Sequence, residues 1–223
     1  MNEKKLDIKW QGSDTITDDS EAVINRFKKF APEYDKAVEE WGYRAPDIAS
    51  NLVEKYLPKA ARIVDAGCGT GLGGEVLKTR GYTQLTGFDI SPDLLSLADS
   101  KQAYLMLNVI DMLNQPYPYL TNYFDGLICI GVLSFFSSIS PLIAEFRRIV
   151  KDGGLLFLTL RDDLYINYQQ NELFEKLIDS GALELLEVIK NQPYLPAHKD
   201  YCENIRISYY AYRVLHSRSD IIQ

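Results

Sequence analysis

Ile63-Val64-Asp65-Ala66-Gly67-Cys68-Gly69-Thr70-Gly71 decides how this chain is read: an apolar run ends beside an acid, and alternating glycines follow at once. Gly67, Gly69 and Gly71 permit positive φ and leave no side chain where a ligand must approach the backbone. The helical pattern beyond them aims free N–H groups at the same spot, at the C-terminal mouth of a sheet. A tight turn with no ligand is the competing reading, and glycines alternating directly before a helix speak against it.

Working outward, short unbroken apolar runs recur at residues 62–66, 85–88, 104–110, 124–130 and 155–160. Such runs suit strands buried on both faces, hence a parallel sheet. Helical stretches separate them at residues 75–80, 92–100, 141–150 and 172–180. Ser91-Pro92-Asp93 is a strong helix start, with a hydroxyl cap, Pro at the first position and an acid at the positive end of the dipole. Strand-then-helix units imply a doubly wound, Rossmann-like α/β sheet with right-handed crossovers. Residues 183–189 and 205–215 read as strands with no helix between them, most simply an antiparallel pair closing one edge. Upstream, Ala22, Val23, Phe27 and Phe30 keep a helical spacing that Ala31-Pro32 ends, and a second helix runs from Pro46 to Pro58. The expected organisation is a mobile tail at 1–19 and a single domain at 20–223, with a helical cap at 20–58 and a Rossmann-like core at 59–223.

Composition narrows the function. The 223 residues carry 24 Lys+Arg against 31 Asp+Glu, a net charge of −7 that argues against a nucleic-acid or anionic-membrane binder. With 46% apolar and 25% charged residues the chain can bury a sizeable core. Cys68, Cys129 and Cys202 are widely spaced, as expected of free thiols in a reducing compartment. The start of the chain is polar, without a secretory apolar stretch, and no apolar run is long enough to span a bilayer. A soluble cytoplasmic monomer or homodimer is expected, with no metal site.

Two ligands compete for the turn. Gly69-Thr70-Gly71-Leu72-Gly73-Gly74 satisfies the dinucleotide fingerprint G-x-G-x-x-G, with Asp89 at about the expected ~20-residue distance. Yet Gly67 takes the place of its first glycine, and the Asp65 carboxylate would repel a pyrophosphate and attract a cation. S-adenosylmethionine, with an ammonium, a sulfonium and no phosphate, fits better; a nicotinamide-dependent oxidoreductase is the remote alternative. Asp89 closes the second strand, where an ionised acid can accept from both ribose hydroxyls; its alternative is an acid at a helix N-terminus. Asp111, just past the third strand, can take an adenine amine while Ile90 and Met112 close on the ring faces. A turn acid is its alternative.

Asp65-Ala66-Gly67-Cys68-Gly69-Thr70-Gly71, Gly87-Phe88-Asp89-Ile90-Ser91-Pro92, Phe124-Asp125 and Arg148-Ile149-Val150-Lys151-Asp152-Gly153-Gly154-Leu155, in that order, resemble class I S-adenosylmethionine-dependent methyltransferases. The resemblance covers about residues 30 to 215. Trp41-Gly42-Tyr43-Arg44-Ala45-Pro46 and Ile130-Gly131-Val132-Leu133-Ser134 are similar to the methyltransferase-like branch that includes the Williams–Beuren-region protein. The resemblance implies seven strands in the order 3-2-1-4-5-7-6, the last antiparallel. It implies that Asp65, Ala66, Gly67, Cys68, Gly69 and Gly71 hold the methionine part of the cofactor, and Asp89 the ribose. Ile90, Asp111 and Met112 would frame the adenine, with Ile130 and Gly131 along the cofactor and Tyr43 capping its mouth. Two departures stand out. Asp152 replaces the usual Pro, and Phe135 stands where many relatives place a His, leaving a general base there in doubt.

Methyl transfer asks the protein mainly to align a nucleophile and exclude water, and a base is needed only if the acceptor must lose a proton. Arg161, Asp162, Tyr165 and Tyr168 after the fifth strand, and Tyr194, His198 and Tyr201 before the last, are the candidate acceptor groups. Arg161 could pair with an acceptor carboxylate and His198 could serve in catalysis; an ion pair with Asp162 or Asp163 and a solvated loop histidine are the alternatives. The leading expectation is transfer from S-adenosylmethionine to a small-molecule N, O or carboxylate acceptor, releasing S-adenosylhomocysteine. Binding of the cofactor in a non-methylating or structural role is the other reading.

Overall fold

The computed structural model describes residues 17–167, 169–201 and 204–216. The buried runs become β1 (Ile63–Ala66), β2 (Leu85–Asp89), β3 (Met106–Val109), β4 (Phe124–Cys129) and β5 (Val150–Arg161), and the closing pair β6 (Leu183–Pro193) and β7 (Arg206–Val214). They form one sheet in the order β3-β2-β1-β4-β5-β7-β6. β1 to β5 run parallel, and β7 lies antiparallel to both β5 and β6. The expected order and the expected antiparallel edge are both present.

Alternation along each strand supplies two cores. Leu127, Cys129, Leu156, Leu158, Tyr210 and Tyr212 enter one core, while Ile128, Phe157, Tyr209 and Ala211 enter the other. β7 is therefore buried on both faces. β3 departs the other way. It is an edge strand with β2 as its one neighbour, so Met106 and Val109 stay 55% and 62% exposed despite the apolar run. β6 forms the opposite edge and carries Glu184, Glu187 and Lys190 along it, charges that discourage pairing with another chain.

The crossovers are α4 (Leu72–Thr79), α5 (Pro92–Ser100), α6 (Ser140–Ile149) and, after β5, the short helix α7 (Asp162–Asn167) and α8 (Gln170–Asp179). α5 spans the expected residues, with Ser91 Oγ accepting from the Leu94 N–H at 3.3 Å. α4 starts three residues before the apolar spacing indicates, at Leu72 directly after the glycines. Upstream lie α1 (Ser20–Phe30), α2 (Tyr34–Glu40) and α3 (Ala45–Tyr56). Ala31-Pro32 tightens the chain into one 3-10 turn and α2 follows, whereas the sequence reading ended the helical region there. α2 buries only Ala37 and Val38, too little apolar surface to leave a readable period.

Residues 17–19 of the expected tail are tied down: the Thr17 N–H donates to Phe135 O at 2.9 Å, and the Asp19 carboxylate caps α1 at Ala22. Residues 1–16, Tyr168 and Cys202 lie outside the described residues; Cys68 and Cys129 are buried free thiols. Among the described residues no helix is long and apolar enough to cross a membrane, and no cluster of His, Cys, Asp and Glu is arranged to hold a metal ion.

Candidate functional site

The ends of β1, β2, β3 and β4 open into one cleft enclosing about 1110 Å³ of space, part of it continuous with solvent. Its floor is the glycine turn. Gly67 has φ +73°, and a Cβ there would fall 2.7 Å from Val132 Cγ2 and 3.0 Å from Met112 Cε. Gly69 has φ +55° with nothing within 4 Å of the Cβ position, so its backbone faces open space. Together they give a bare backbone surface that a β-carbon would spoil.

Acids ring this floor. Asp65, 5% exposed at the end of β1, accepts a hydrogen bond from the Tyr104 hydroxyl at 2.7 Å. Burial pushes its carboxyl up to about 7, the nearby Asp89 charge adds to the rise, and the tyrosine bond opposes it. Asp89, 8% exposed, accepts from the Gly69 N–H at 3.0 Å and the Ser91 N–H at 2.9 Å. Burial raises its carboxyl above the ordinary range despite those backbone donors. Two buried acids that resist ionisation create a demand for a cation or for hydroxyl donors. Asp111 accepts from Ser20 Oγ at 2.6 Å, Asn114 Nδ2 at 3.2 Å and the Leu113 N–H at 2.9 Å, so it is both a turn acid and a cleft acid. Among the described residues no Lys or Arg lines the cleft.

Tyr104 organises this floor, and the sequence reading passed over it. Its ring threads a slot cut by glycines: a Cβ at Gly74 would overlap Tyr104 Cζ, and those at Gly87 and Gly71 would stand 3.0 and 3.2 Å from its ring. Its hydroxyl donates to Asp65 and accepts from the Gly74 N–H at 3.1 Å. That N–H is one of the unpaired donors of the first turn of α4, whose N-cap, Gly71, has no side chain to offer. One phenol thus caps a helix and orients an acid. No local spacing announces this, because the glycines and Tyr104 lie on separate elements.

The roof comes from both ends of the chain. Phe27 of α1 packs edge-on against Phe135 at 5.8 Å between centroids. Asp35 of α2 accepts from Thr70 Oγ1 in the glycine turn and pairs with Lys101, whose ammonium also donates to Thr70 O at 3.0 Å. Tyr43 lies over Gly131, where a Cβ would stand 2.7 Å from its hydroxyl, and its ring meets Tyr194 at 5.8 Å. The Ala197 N–H donates to Trp41 O at 3.0 Å, so the β6–β7 connection and the α2–α3 loop form one unit.

Of the residues expected to hold a cofactor, Tyr43, Asp65, Gly67, Cys68, Gly69, Asp89, Ile90, Asp111, Met112, Ile130 and Gly131 line the cleft. Ala66 faces the core behind it at 0% exposure, and Gly71 turns its Cα toward Ala98 and Tyr104; neither belongs to the lining. The two expected catalytic residues are placed elsewhere. Arg161, 3% exposed, is held by Asp163 through Nε at 3.1 Å and Nη2 at 2.7 Å, and does not reach the cleft. The ion pair weighed as its alternative is what forms, since a buried guanidinium requires a carboxylate close by. His198 is 6% exposed and packs on Trp41 and Tyr201 at 4.7 and 4.8 Å. It lines a second, smaller cavity of about 340 Å³, separated from the cleft by Tyr34, Tyr43 and Tyr194, which border both. It is a buried aromatic neighbour, not a solvated loop residue. Phe135 lines the cleft at 8% exposure, so its position holds no base. Asp152, in place of the usual Pro, accepts from the His216 N–H at 3.0 Å and anchors the end of β7.

Comparison with known proteins agrees with this geometry. The methyltransferase domain family matches residues 64–158, from β1 through most of β5. Human methyltransferase-like protein 27 is 34% identical over 70% of this chain and 64% of its own length. A Geobacillus sp. (strain WCH70) chain named as a methyltransferase is 30% identical over 73% of this chain and 67% of its own. Malonyl-[acyl-carrier protein] O-methyltransferase of Serratia marcescens is 29% identical over 66% and 55%. The chain spans 52–64% of the length of five such relatives, the human one included. Among solved structures, the [4+2]-cyclase SpnF superposes with a TM-score of 0.71 over 91% of this chain and 98% of its own at 16% identity, a likeness of fold. With the sheet order, the glycine turn and the strand-end acids in place, these matches establish that the chain belongs to the class I S-adenosylmethionine-dependent methyltransferases.

Proposed function

We propose that the protein transfers a methyl group from S-adenosylmethionine to a small-molecule acceptor. The observation that carries the reading is the pair of buried strand-end acids, Asp65 and Asp89, facing a bare glycine turn in a cleft whose described lining includes no Lys or Arg. Such a site suits a ligand with an ammonium and a diol and disfavours a pyrophosphate. Asp65 and the turn from Gly67 to Thr70 would hold the methionine ammonium, and Asp89 would take the ribose hydroxyls. Ile90, Asp111 and Met112 enclose the adenine, with Ile130, Gly131 and Tyr43 along the length of the ligand. When bound, the cofactor supplies a methyl group already activated for displacement by its sulfonium. What remains for this chain is to align the nucleophile and exclude water, tasks that fall to the roof built from residues 20–58 and the β6–β7 connection.

Direct titration tests the reading. S-adenosylmethionine and S-adenosylhomocysteine are expected to bind in the micromolar range and NAD and NADP not to bind; comparable binding of NAD would sink it. A second reading, use of the cofactor without methyl transfer, draws support from Phe135, which leaves the acceptor side without a base. Tight binding of S-adenosylmethionine with no labelled methyl leaving it, over a broad panel of metabolites, would favour that second reading.

A further inference from the structure

We propose that the methyl acceptor is a small amine, its nitrogen held where the Tyr34, Tyr43 and Tyr194 side chains converge between the two cavities. This rests on the methyltransferase reading above and assigns its substrate class. The three tyrosines come from the start of α2, the α2–α3 loop and the β6–β7 connection, and each borders both cavities. Half-buried where the cavities meet, their side chains make no hydrogen bond to a described residue, and desolvation raises the pKa of each phenol. Tyr201, 2% exposed and in ring contact with Tyr194, has a buried hydroxyl without a partner among the described residues. Three phenols facing the cavities with hydrogen-bonding capacity to spare, and a fourth buried beside them, suit a ligand that brings polar atoms of its own.

Charge and proton balance select among acceptors. A carboxylate needs no base but arrives as an anion, and the charged groups lining the cleft are Asp65, Asp89 and Asp111. Arg161, whose charge reaches Tyr194 and Tyr201, is already committed to Asp163, with Asp200 on the same side. An alcohol must give up its proton as it attacks. Asp65 and Asp89 are engaged by the cofactor on this reading, Asp111 is engaged by Ser20 and Asn114, and position 135 is a phenylalanine. An amine needs no cation to hold it, and its ammonium form is acidic enough to lose a proton to water before it attacks, which an alcohol is not. Its protonated form is drawn in by the acids and by aromatic faces, since rings of Trp41, Tyr43, Tyr194, Tyr201 and His198 meet at interplanar angles of 64–89° and wall the smaller cavity. Its neutral form carries the lone pair that attacks. The nitrogen forms the new N–C bond as the C–S bond breaks, the sulfur keeps the bonding pair and becomes a neutral thioether, and the ammonium product gives its extra proton to water. The phenols orient that lone pair by accepting from the amine N–H groups.

The test uses protein saturated with S-adenosylhomocysteine and measures acceptor binding directly by calorimetry, near neutral pH. Butylamine, benzylamine and phenethylamine are each compared with the alcohol and the carboxylate of the same skeleton. At least one amine should bind about tenfold or more tighter than its two counterparts, and the double variant Tyr34→Phe/Tyr194→Phe should lose about tenfold of that affinity with S-adenosylhomocysteine binding retained. Alcohol or carboxylate binding as tight as the amine, no saturable binding of any amine, or undiminished binding in the double variant would each overturn the assignment. Failure of S-adenosylhomocysteine itself to bind would instead strike the methyltransferase reading, so the two failures are distinguishable.

Discussion

Replacing Tyr104 by Phe removes one oxygen and keeps the ring in its slot, which isolates what the hydroxyl does for Asp65. The lost bond is short, 2.7 Å, and is donated to a carboxylate. A bond of that kind is worth about 1.5–3 kcal/mol, equivalent to about one to two tenfold steps in an ionisation constant. Asp65 already sits at about 7 because burial outweighs the tyrosine. Without the hydroxyl it moves further up, so at about pH 7.5 a site that is mostly ionised becomes mostly protonated, and a ligand ammonium loses its counter-charge. S-adenosylhomocysteine affinity should then fall about tenfold at that pH. The sign can be followed across pH. In the wild type, affinity falls as pH drops through about 7 and binding releases a proton; in Tyr104→Phe the same fall begins at higher pH. For the ligand-free fold the raised carboxyl works in the opposite sense: its stabilising contribution is full below the ordinary value of 3.8 and is lost as pH rises through about 7. Calorimetric titration across pH in buffers of different ionisation enthalpy reads both affinity and proton release, with Asp65→Asn as the control that flattens the dependence. Equal affinity and an unmoved pH profile in Tyr104→Phe would refute the reasoning, and a loss that is the same at every pH would reduce Tyr104 to a helix cap.

Asp89→Ala should weaken cofactor binding by about 2–4 kcal/mol and Asp89→Asn by less, since the amide keeps one acceptor oxygen; equal affinity of wild type and Asp89→Ala would mean that the acid serves only Gly69 and Ser91. The roof should gain protection from hydrogen exchange at residues 34–43 and 194–201 when S-adenosylhomocysteine binds, and unchanged protection in both despite proven binding would reject a closing roof. Lys101→Met, which removes the cation holding Asp35 against Thr70, should speed exchange in α2 while leaving β1 to β5 unaffected, as followed by mass spectrometry.

What was legible in the sequence was what the chain writes locally. The 63–71 turn, the strand-end acids and the α5 start all depend on residues within a few positions of one another, so spacing alone identifies them. The edge character of β3 was hidden, because Met106 to Val109 are as apolar as a central strand and only the sheet order leaves them exposed. Arg161 and His198 are polar groups near strand ends, and sequence gives their position along the chain but not their direction. Burial decides direction, turning one toward Asp163 and the other into an aromatic wall. The roles of Tyr34, Tyr104 and Lys101 are not legible locally for a related reason: each depends on a residue more than 30 positions away, respectively Tyr194 across the second cavity, Asp65 and Asp35.

The slot around Tyr104 also constrains how this sequence can change over generations. Gly71 and Gly74 belong to the start of α4 and Gly87 to β2; Ala98 and Leu107 also crowd Gly71 and Gly87, but at Gly74 the obstacle is the Tyr104 ring itself. A methyl group added at Gly74 meets Tyr104 Cζ, while a shortened Tyr104 abandons Asp65 and leaves the slot hollow. Either step alone costs packing or a hydrogen bond at the cleft floor, and a paired change at 74 and 104 avoids the clash. Positions 74 and 104 are therefore expected to change together, and a descendant that has lost the tyrosine should be recognised by a larger residue at 74 and by a new donor to the β1 acid.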